Sequence, residues 1–440
     1  MKKLYIFKAI IVIFFLVDIN SVQAQRNEWV NQVIVVNGGK SESIPPYNDY
    51  VTVQKYDPVS HTVTVFDKIY TQSAQDVIID GHFAYVAAQD SIIKYDIDTY
   101  QRLAAIADSG VDKLYMFGTK VLVSKQYPIK RFFLEVLDDN LSLLARVQGI
   151  SGECGGITSG WSATQNIVFV AVNGGYAGTE GKLARINPSN WTLIGETNFG
   201  VNAVGIWNLY NYADKIYTVN RTPAGNPNRG SITVYDIFQD TFFNKIIDVM
   251  VGDGAGIKDE LLYLKMNEGL GSFDLNTIQI ADTTIIPDPG TGNRRYITSA
   301  AVDYINDLFY INLGNRSSYG IGEIASLAGD SITSYATGIN ADAIAIDYRS
   351  PVGINTGESF KDFVNIYPNP VTDFLTLSLI NGETIKFIKI TDLTGRIIHE
   401  KFLNGNEKIM KFSCENLQSG VYLISFLTAN GMKTRKFIKK

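Results

Sequence analysis

Between residues 27 and 350 one short cassette recurs seven times, at a period of about 35 to 50 residues. Each copy reads as a strand of small residues, an aromatic or aliphatic strand, a variable loop, and a third strand that closes in Asp or Asn. The second strands fall at 33–36, 84–87, 121–124, 167–170, 216–219, 262–265 and 308–311. The third strands end in turns such as Tyr56-Asp57-Pro58, Tyr95-Asp96-Ile97, Ile186-Asn187-Pro188, Tyr235-Asp236-Ile237 and Phe273-Asp274-Leu275. Asp and Asn suit such turns because a short polar side chain accepts backbone N–H bonds, and Pro presets φ. The last copy departs from this, ending in Gly329-Asp330 after an apolar run.

A unit this short cannot bury its apolar faces alone, so neighbouring copies must cover one another. Four short strands per unit argue radial repetition rather than a sandwich. The first copy lacks a leading strand before Val33, while the final leading strand, Asp342 to Ile346, has nothing after it. The expected fold is therefore all-β: a seven-bladed β-propeller whose N-terminal strands are closed by the C-terminal inner strand, leaving no open edge.

The two ends read differently. Residues 1–24 have a basic start at Lys2, Lys3 and Lys8, an apolar run from Ile10 to Val17, and Val22-Gln23-Ala24 before the expected cleavage point, the pattern of a secretory signal peptide. No Cys near that point suggests a lipid anchor, and no later run approaches the length of a membrane-spanning helix. Residues 351–362 are small, polar and turn-rich, and read as a linker. Alternating runs such as Leu375 to Leu379 and Tyr422 to Phe426 predict a compact β-sandwich over 363–440.

Three boxes punctuate that tail: Tyr367-Pro368-Asn369-Pro370, Asp392-Leu393-Thr394-Gly395-Arg396, and Leu417-Gln418-Ser419-Gly420-Val421-Tyr422, before a Lys-rich finish at 433–440. Together they resemble the C-terminal sorting domain of type IX secretion cargo in the Bacteroidota. The resemblance implies export across the outer membrane, followed by surface attachment or release, and a partner in the type IX machinery. It assigns recognition to Tyr367, Pro368, Asn369, Pro370, Gly395, Gly420 and Tyr422. Over about 27–350 the repeats are similar in pattern and period to the YVTN or YncE-like surface propellers of bacteria, which supports the fold rather than an activity.

Charge is uneven. The tail carries eleven Lys/Arg against six Asp/Glu, a net +5, and 1–24 carries +2, so residues 25–362 hold −12 of the overall −5. An acidic main domain repels phosphate backbones and excludes nucleic acid as a natural partner. The two cysteines, Cys154 and Cys414, fall in different domains and read as small buried hydrophobes.

In a propeller, the start of each inner strand and the loop between second and third strands share one end. That places Asp76, Asp112, Glu153, Asn202, Asp253 and Asp342 around one channel mouth, where carboxylates could hold Ca²⁺ or a cationic ligand. Each of these residues equally suits capping its own turn. The loops at 38–49, 173–181, 220–230 and 312–320 add Tyr47, Tyr50, Tyr176, Arg221, Arg229, Arg316 and Tyr319 at that end, beside Arg294, Arg295 and Tyr296. Tyr and Arg are the residues from which binding surfaces are composed. The expected role is a non-enzymatic binding or adhesion module for a protein, glycan or small molecule. Two alternatives are surface capture of a cobalamin- or siderophore-like nutrient and a calcium-dependent lactonase-like hydrolase. No nucleophile elbow, His-Glu-x-x-His or Cys/His arrangement accompanies His61, His82 and His399.

Overall fold

A computed structural model describes residues 28–42, 47–162, 165–221, 229–290, 296–349, 364–379, 385–393, 396–403, 409–428 and 431–440. The expected signal peptide and linker lie outside these residues, as do Gly395, Arg294 and Arg295. Apart from two short 3₁₀ turns, Gly175–Ala177 and Val201–Ala203, the regular structure of the described residues is all strand. No helix among them is long and apolar enough to cross a membrane.

Seven four-stranded antiparallel sheets fill the described residues from Trp29 to Arg349. Their innermost strands are Ala74–Asp80, Val111–Phe117, Cys154–Trp161, Ile206–Tyr212, Val251–Lys258, Tyr296–Asp303 and Ala341–Arg349. Each of these touches the next in chain order, and Ala341–Arg349 also touches Ala74–Asp80, so the neighbour relations return on themselves. The repeated sheets are propeller-like, and a separate β domain follows them.

The second strands are apolar on both faces because each sheet is covered on both sides. In Phe83–Ala88, the side chains of Ala84, Val86 and Ala88 pack into the core shared with the first sheet. Tyr85 and Ala87 point the other way, into the core shared with the third. Successive side chains of a strand face opposite ways, so one short run serves two interfaces. Each buried Val, Ile or aromatic side chain contributes about 1.5–3 kcal/mol. The outermost strands, such as Gln101–Ala107, alternate toward solvent and are mostly exposed.

The third-strand turns behave as their chemistry predicts. Asp57 Oδ1 accepts the N–H groups of Val59 and Ser60 at 2.8 and 3.0 Å; Asp96 does the same for Asp98 and Thr99, and Asp274 for Asn276 and Thr277. The first sheet is completed from the far end of the chain: Ala341–Arg349 pairs antiparallel with Trp29–Asn37, with Trp29 opposite Arg349 and Val33 opposite Ile346. Between this sheet and the seventh, Tyr56 stacks on Tyr335 at 4.5 Å and meets Tyr310 edge-on.

One inner strand starts later than expected. Asn202, placed by the sequence at the start of an inner strand, lies instead in the turn Val201–Ala203, and the strand begins at Ile206. Gly200 and Gly205 adopt positive φ, 81° and 66°, and these left-handed residues break the extended backbone on either side.

The tail is two facing sheets, one ordered Val364–Tyr367, Phe374–Leu379, Ile409–Ser413, the other Ile397–Phe402, Ile385–Asp392, Gly420–Thr428, Gly431–Lys439. They enclose a core that includes Leu375, Leu377, Ile388, Ile390, Ile424 and Phe437. The boxes hold this sandwich together. Asn369 Oδ1 accepts the Ile438 N–H at 2.9 Å, and Val371 N–H donates to Ile438 O, pinning the last strand. Tyr422 donates its hydroxyl to Gln418 O at 2.8 Å and stacks on Phe437. Arg396 pairs with Asp392 at 3.0 Å. Cys154 and Cys414 are both buried and free.

Candidate functional site

The long loops gather at one end of the sheets. Pairings such as Ala74 with Ala88, Cys154 with Val172 and Tyr296 with Gly314 place each inner-strand start beside the loop between second and third strands. Near this end most inner strands carry an irregularity in register, at Ala74/Asp76, Val111/Leu114, Cys154/Ile157, Ile206/Asn208, Val251/Gly254 and Ile297/Ser299. A bulge lets consecutive residues face the same way and re-aims side chains.

The consequence is clearest around Lys113. Its ammonium sits within the fields of Asp76, Asp112 and Asp253. Desolvation alone would lower its proton affinity, but the three carboxylates outweigh that and hold it well above the usual lysine range. Loss of water pushes Asp112 up to about 7; Lys113 opposes the shift, and Asp76 and Asp253 add to it. Asp76 is raised mainly by desolvation, while its oxygens accept the N–H groups of Val77 at 3.0 Å and Leu114 at 2.8 Å. Tyr210 is raised by burial and by Asp253, and Asn208 Oδ1 accepts the Gly254 N–H at 3.3 Å.

Of the six residues expected at this mouth, Asp76, Asp112, Asp253 and Asp342 do come into electrostatic contact. Glu153 sits just before its strand, its carboxylate beneath Gly175, where an added Cβ would fall 1.5 Å from Oε2. Asn202 is exposed, its carbonyl taken by Ser231 Oγ on the third strand of its sheet, away from the channel. Lys113, Asn208 and Tyr210 were not foreseen, because a bulge breaks the alternation from which facing is read. Among the described residues, no group of three or more His, Cys, Asp or Glu converges closely enough to hold a metal ion.

The loop residues are dispersed over the same end. Tyr176 is 90% exposed at the tip of Gly175–Ala177. Arg229 reaches Asp248 across 3.4 Å in an exposed ion pair. Tyr296 is half-buried under the Lys265 ammonium, 5.2 Å from its ring centroid. Arg221 lies over the Trp207 ring at 4.6 Å. Arg316 and Asp342 line a cavity of about 420 Å³ with Tyr47, Gln72, Gln75, Gln89 and Asn340, between the first and second sheets. Desolvation pushes Asp342 up to about 7, with Arg316 pulling it down.

The opposite end is where the tail sits. Lys401 lies 2.9 Å from Asp214, in the turn between two strands of the fifth sheet, and Lys389 lies 3.8 Å from Glu28, just ahead of Trp29. Solvent-exposed Glu400 is close enough to the channel that it adds to the burial that pushes Tyr115 up to about 12. Asp80 is pushed up to about 6 by desolvation, with Arg396 opposing and Asp392 and Glu400 adding. The sorting tail thus covers the mouth away from the long loops.

Residues 365–440 match the family described as secretion system C-terminal sorting domain. A tail of this family addresses its chain to type IX secretion, and so to the cell surface or the extracellular space. A search of curated proteins returns no match. Among solved structures, U3-55K is 13% identical with a TM-score of 0.48, covering 70% of this chain and 88% of that one. The computationally designed Ika8 protein is 12% identical, with a TM-score of 0.46, over 84% and 96%. PorZ, a surface component of the type-IX secretion system of Porphyromonas gingivalis, is 10% identical, with a TM-score of 0.36, over 88% and 73%. At such distances the architecture rests on this chain's own strand pairings.

Proposed function

We propose that residues 27–350 form a closed seven-bladed propeller of the YncE-like surface kind, acting outside the cell as a non-enzymatic binding or adhesion module. Its working surface is the long-loop end. The observation that carries this reading is positional: the tail is held at the far mouth by Lys401–Asp214 and Lys389–Glu28, leaving the loop end with Tyr176, Arg229, Tyr296 and Arg316 free to meet a ligand. Aromatic and Arg side chains on loops above a rigid β scaffold are the usual makings of a recognition surface.

Removing residues 363–440 tests the export half. The truncated protein should accumulate in the periplasm and vanish from the surface and medium; secretion at the normal level would refute the reading. The binding half is tested on the secreted chain by replacing Tyr176 and Arg229 together with Ala. Adhesion to cells or matrix should fall while the melting temperature stays put. Capture of a small nutrient for an outer-membrane transporter is the second reading, favoured by the cavity beside Arg316 at the same end. A calcium ion at the Asp76, Asp112 and Asp253 mouth is kept only if calcium raises the melting temperature.

A further inference from the structure

We propose that the cavity between the first two sheets binds a neutral, hydroxyl-rich ligand, the terminal hexose of a glycan. This rests on the reading of the long-loop end as the binding end and gives it a chemistry. The cavity, at about 420 Å³, falls within the roughly 300–1,000 Å³ of ordinary ligand pockets.

Its wall is preformed. Gly38 and Gly39 donate to Asn340 O at 2.7 Å and Ile339 O at 3.1 Å, and Ser41 N–H donates to Arg316 O at 3.2 Å. Buried Gln72 clamps the same loop, donating to Lys40 O at 2.6 Å and accepting from Glu42 N–H at 3.0 Å. Gly39 has φ 78°, and a Cβ there would meet the Tyr50 carbonyl at 2.9 Å, so backbone itself forms part of the floor. These bonds hold the described part of the wall without a ligand, which lowers the ordering cost of binding.

The chemistry of the lining selects the ligand class. Arg316 and a partly ionised Asp342 face the same space, so the lining commits to neither an isolated anion nor an isolated cation. Glu42, also in the lining, opposes an anion further. What the pair does offer is one donor fork and one acceptor side by side, with amides from Gln75 and Gln89, the arrangement that satisfies adjacent hydroxyl groups. Asn340 Oδ1, in the same lining, is a buried acceptor without a hydrogen-bond partner among the described residues. Tyr47 lines the cavity and meets Tyr50 edge-on at 6.3 Å, while Lys68 covers the Tyr50 and Tyr70 rings at 4.5 and 5.7 Å. Tyr47 is therefore the ring placed to meet the C–H face of a pyranose.

The test titrates the full secreted chain with methyl glycosides of glucose, galactose and mannose, with maltose, cellobiose and lactose, and with inorganic phosphate. The expected result is saturable binding of at least one neutral sugar and none of phosphate. Arg316→Ala and Gln89→Ala should each weaken it by about tenfold or more, as expected for lost hydrogen bonds to charged or buried groups. Phe243→Ala, on the outer strand of the fifth sheet, should leave it unchanged. Sugar binding that survives both cavity variants overturns the site, and preference for phosphate overturns the ligand class. Adhesion that depends on Tyr176 and Arg229 in a chain that binds no sugar overturns this inference and leaves the binding end standing. If the cavity variants melt early, nuclear Overhauser contacts between sugar and the unaltered chain decide: bound sugar without contact to the Tyr47 ring overturns it.

Discussion

Arg349 donates from one edge of its guanidinium to the fully buried carboxylate of Asp347, Nε to Oδ1 at 2.5 Å and Nη2 to Oδ2 at 2.9 Å. Asn31 and Gln32 complete the shell of Asp347 from the opposite strand, and Arg349 also reaches Asp98 of the second sheet at 2.8 Å. Asp347 therefore ties the last strand to its neighbour Trp29–Asn37, and Arg349 ties it to the second sheet.

Removing one partner of such a buried pair leaves an uncompensated charge. Arg349→Ala should cost about 3–5 kcal/mol. Urea unfolding of the purified chain measures it, and Asn31→Ala should cost much less because Asp347 keeps its guanidinium.

The turn carboxylates predict an acid dependence. Asp57, Asp96 and Asp274 are held below the usual carboxylate value, chiefly by backbone N–H donation from Ser60, Thr99 and Thr277 respectively. A folded-state pKa below the unfolded one gives stability that is present above the unfolded value and is lost as pH falls through the folded one. Asp96→Ala should cost about 1 kcal/mol at pH 7, and that penalty should shrink as pH drops below about 4. A penalty independent of pH would contradict the hydrogen-bonded carboxylate.

The channel mouth predicts the reverse. Asp112 and Asp342 are pushed up to about 7, so the stability linked to their protonation is complete below the unfolded value of 3.8 and lost as pH rises through about 7. Asp112→Asn should raise the melting temperature at pH 8 and change it little near pH 3.5. Lys113 retains Asp76 and Asp253 in that variant. Equal stabilisation at both pH values would mean that Asp112 is not the titrating group.

The ion pair of Lys401 with Asp214 joins tail and ring and is quarter-exposed on each side, at 24% and 26%. A pair of this kind contributes about 0–1 kcal/mol. Lys401→Glu should widen the solution scattering profile as the tail separates, and adding Asp214→Lys should restore it. An unchanged profile in the single variant would show that this contact does not hold the tail.

What could be read from the sequence was local. Tyr85 and its neighbours announce a doubly covered strand, and Asp57, Asp96 and Asp274 announce turns, because alternation and turn chemistry act over two or three residues. Asn202 was misplaced where two left-handed glycines interrupt an otherwise plausible strand. Lys113 was passed over because a bulge sets it on the same side as Asp112. The Arg349–Asp347–Asn31 cluster joins residues more than three hundred positions apart, and no spacing rule reaches that far. The tail boxes were legible as a pattern, but their work within the sandwich, Asn369 on Ile438 and Tyr422 on Gln418, required coordinates.

The pairing of Ala341–Arg349 with Trp29–Asn37 has a mechanical consequence. A tether pulling at the tail, against a ligand gripped at the loop end, draws on Arg349 along the axis of its strand. The eight backbone pairs from Trp29–Arg349 to Asn37–Ala341 are then sheared together instead of being peeled one by one, and Arg349 clamps the end where the tension arrives. A chain stitched shut in this way resists being unravelled from the very terminus by which it would be moored.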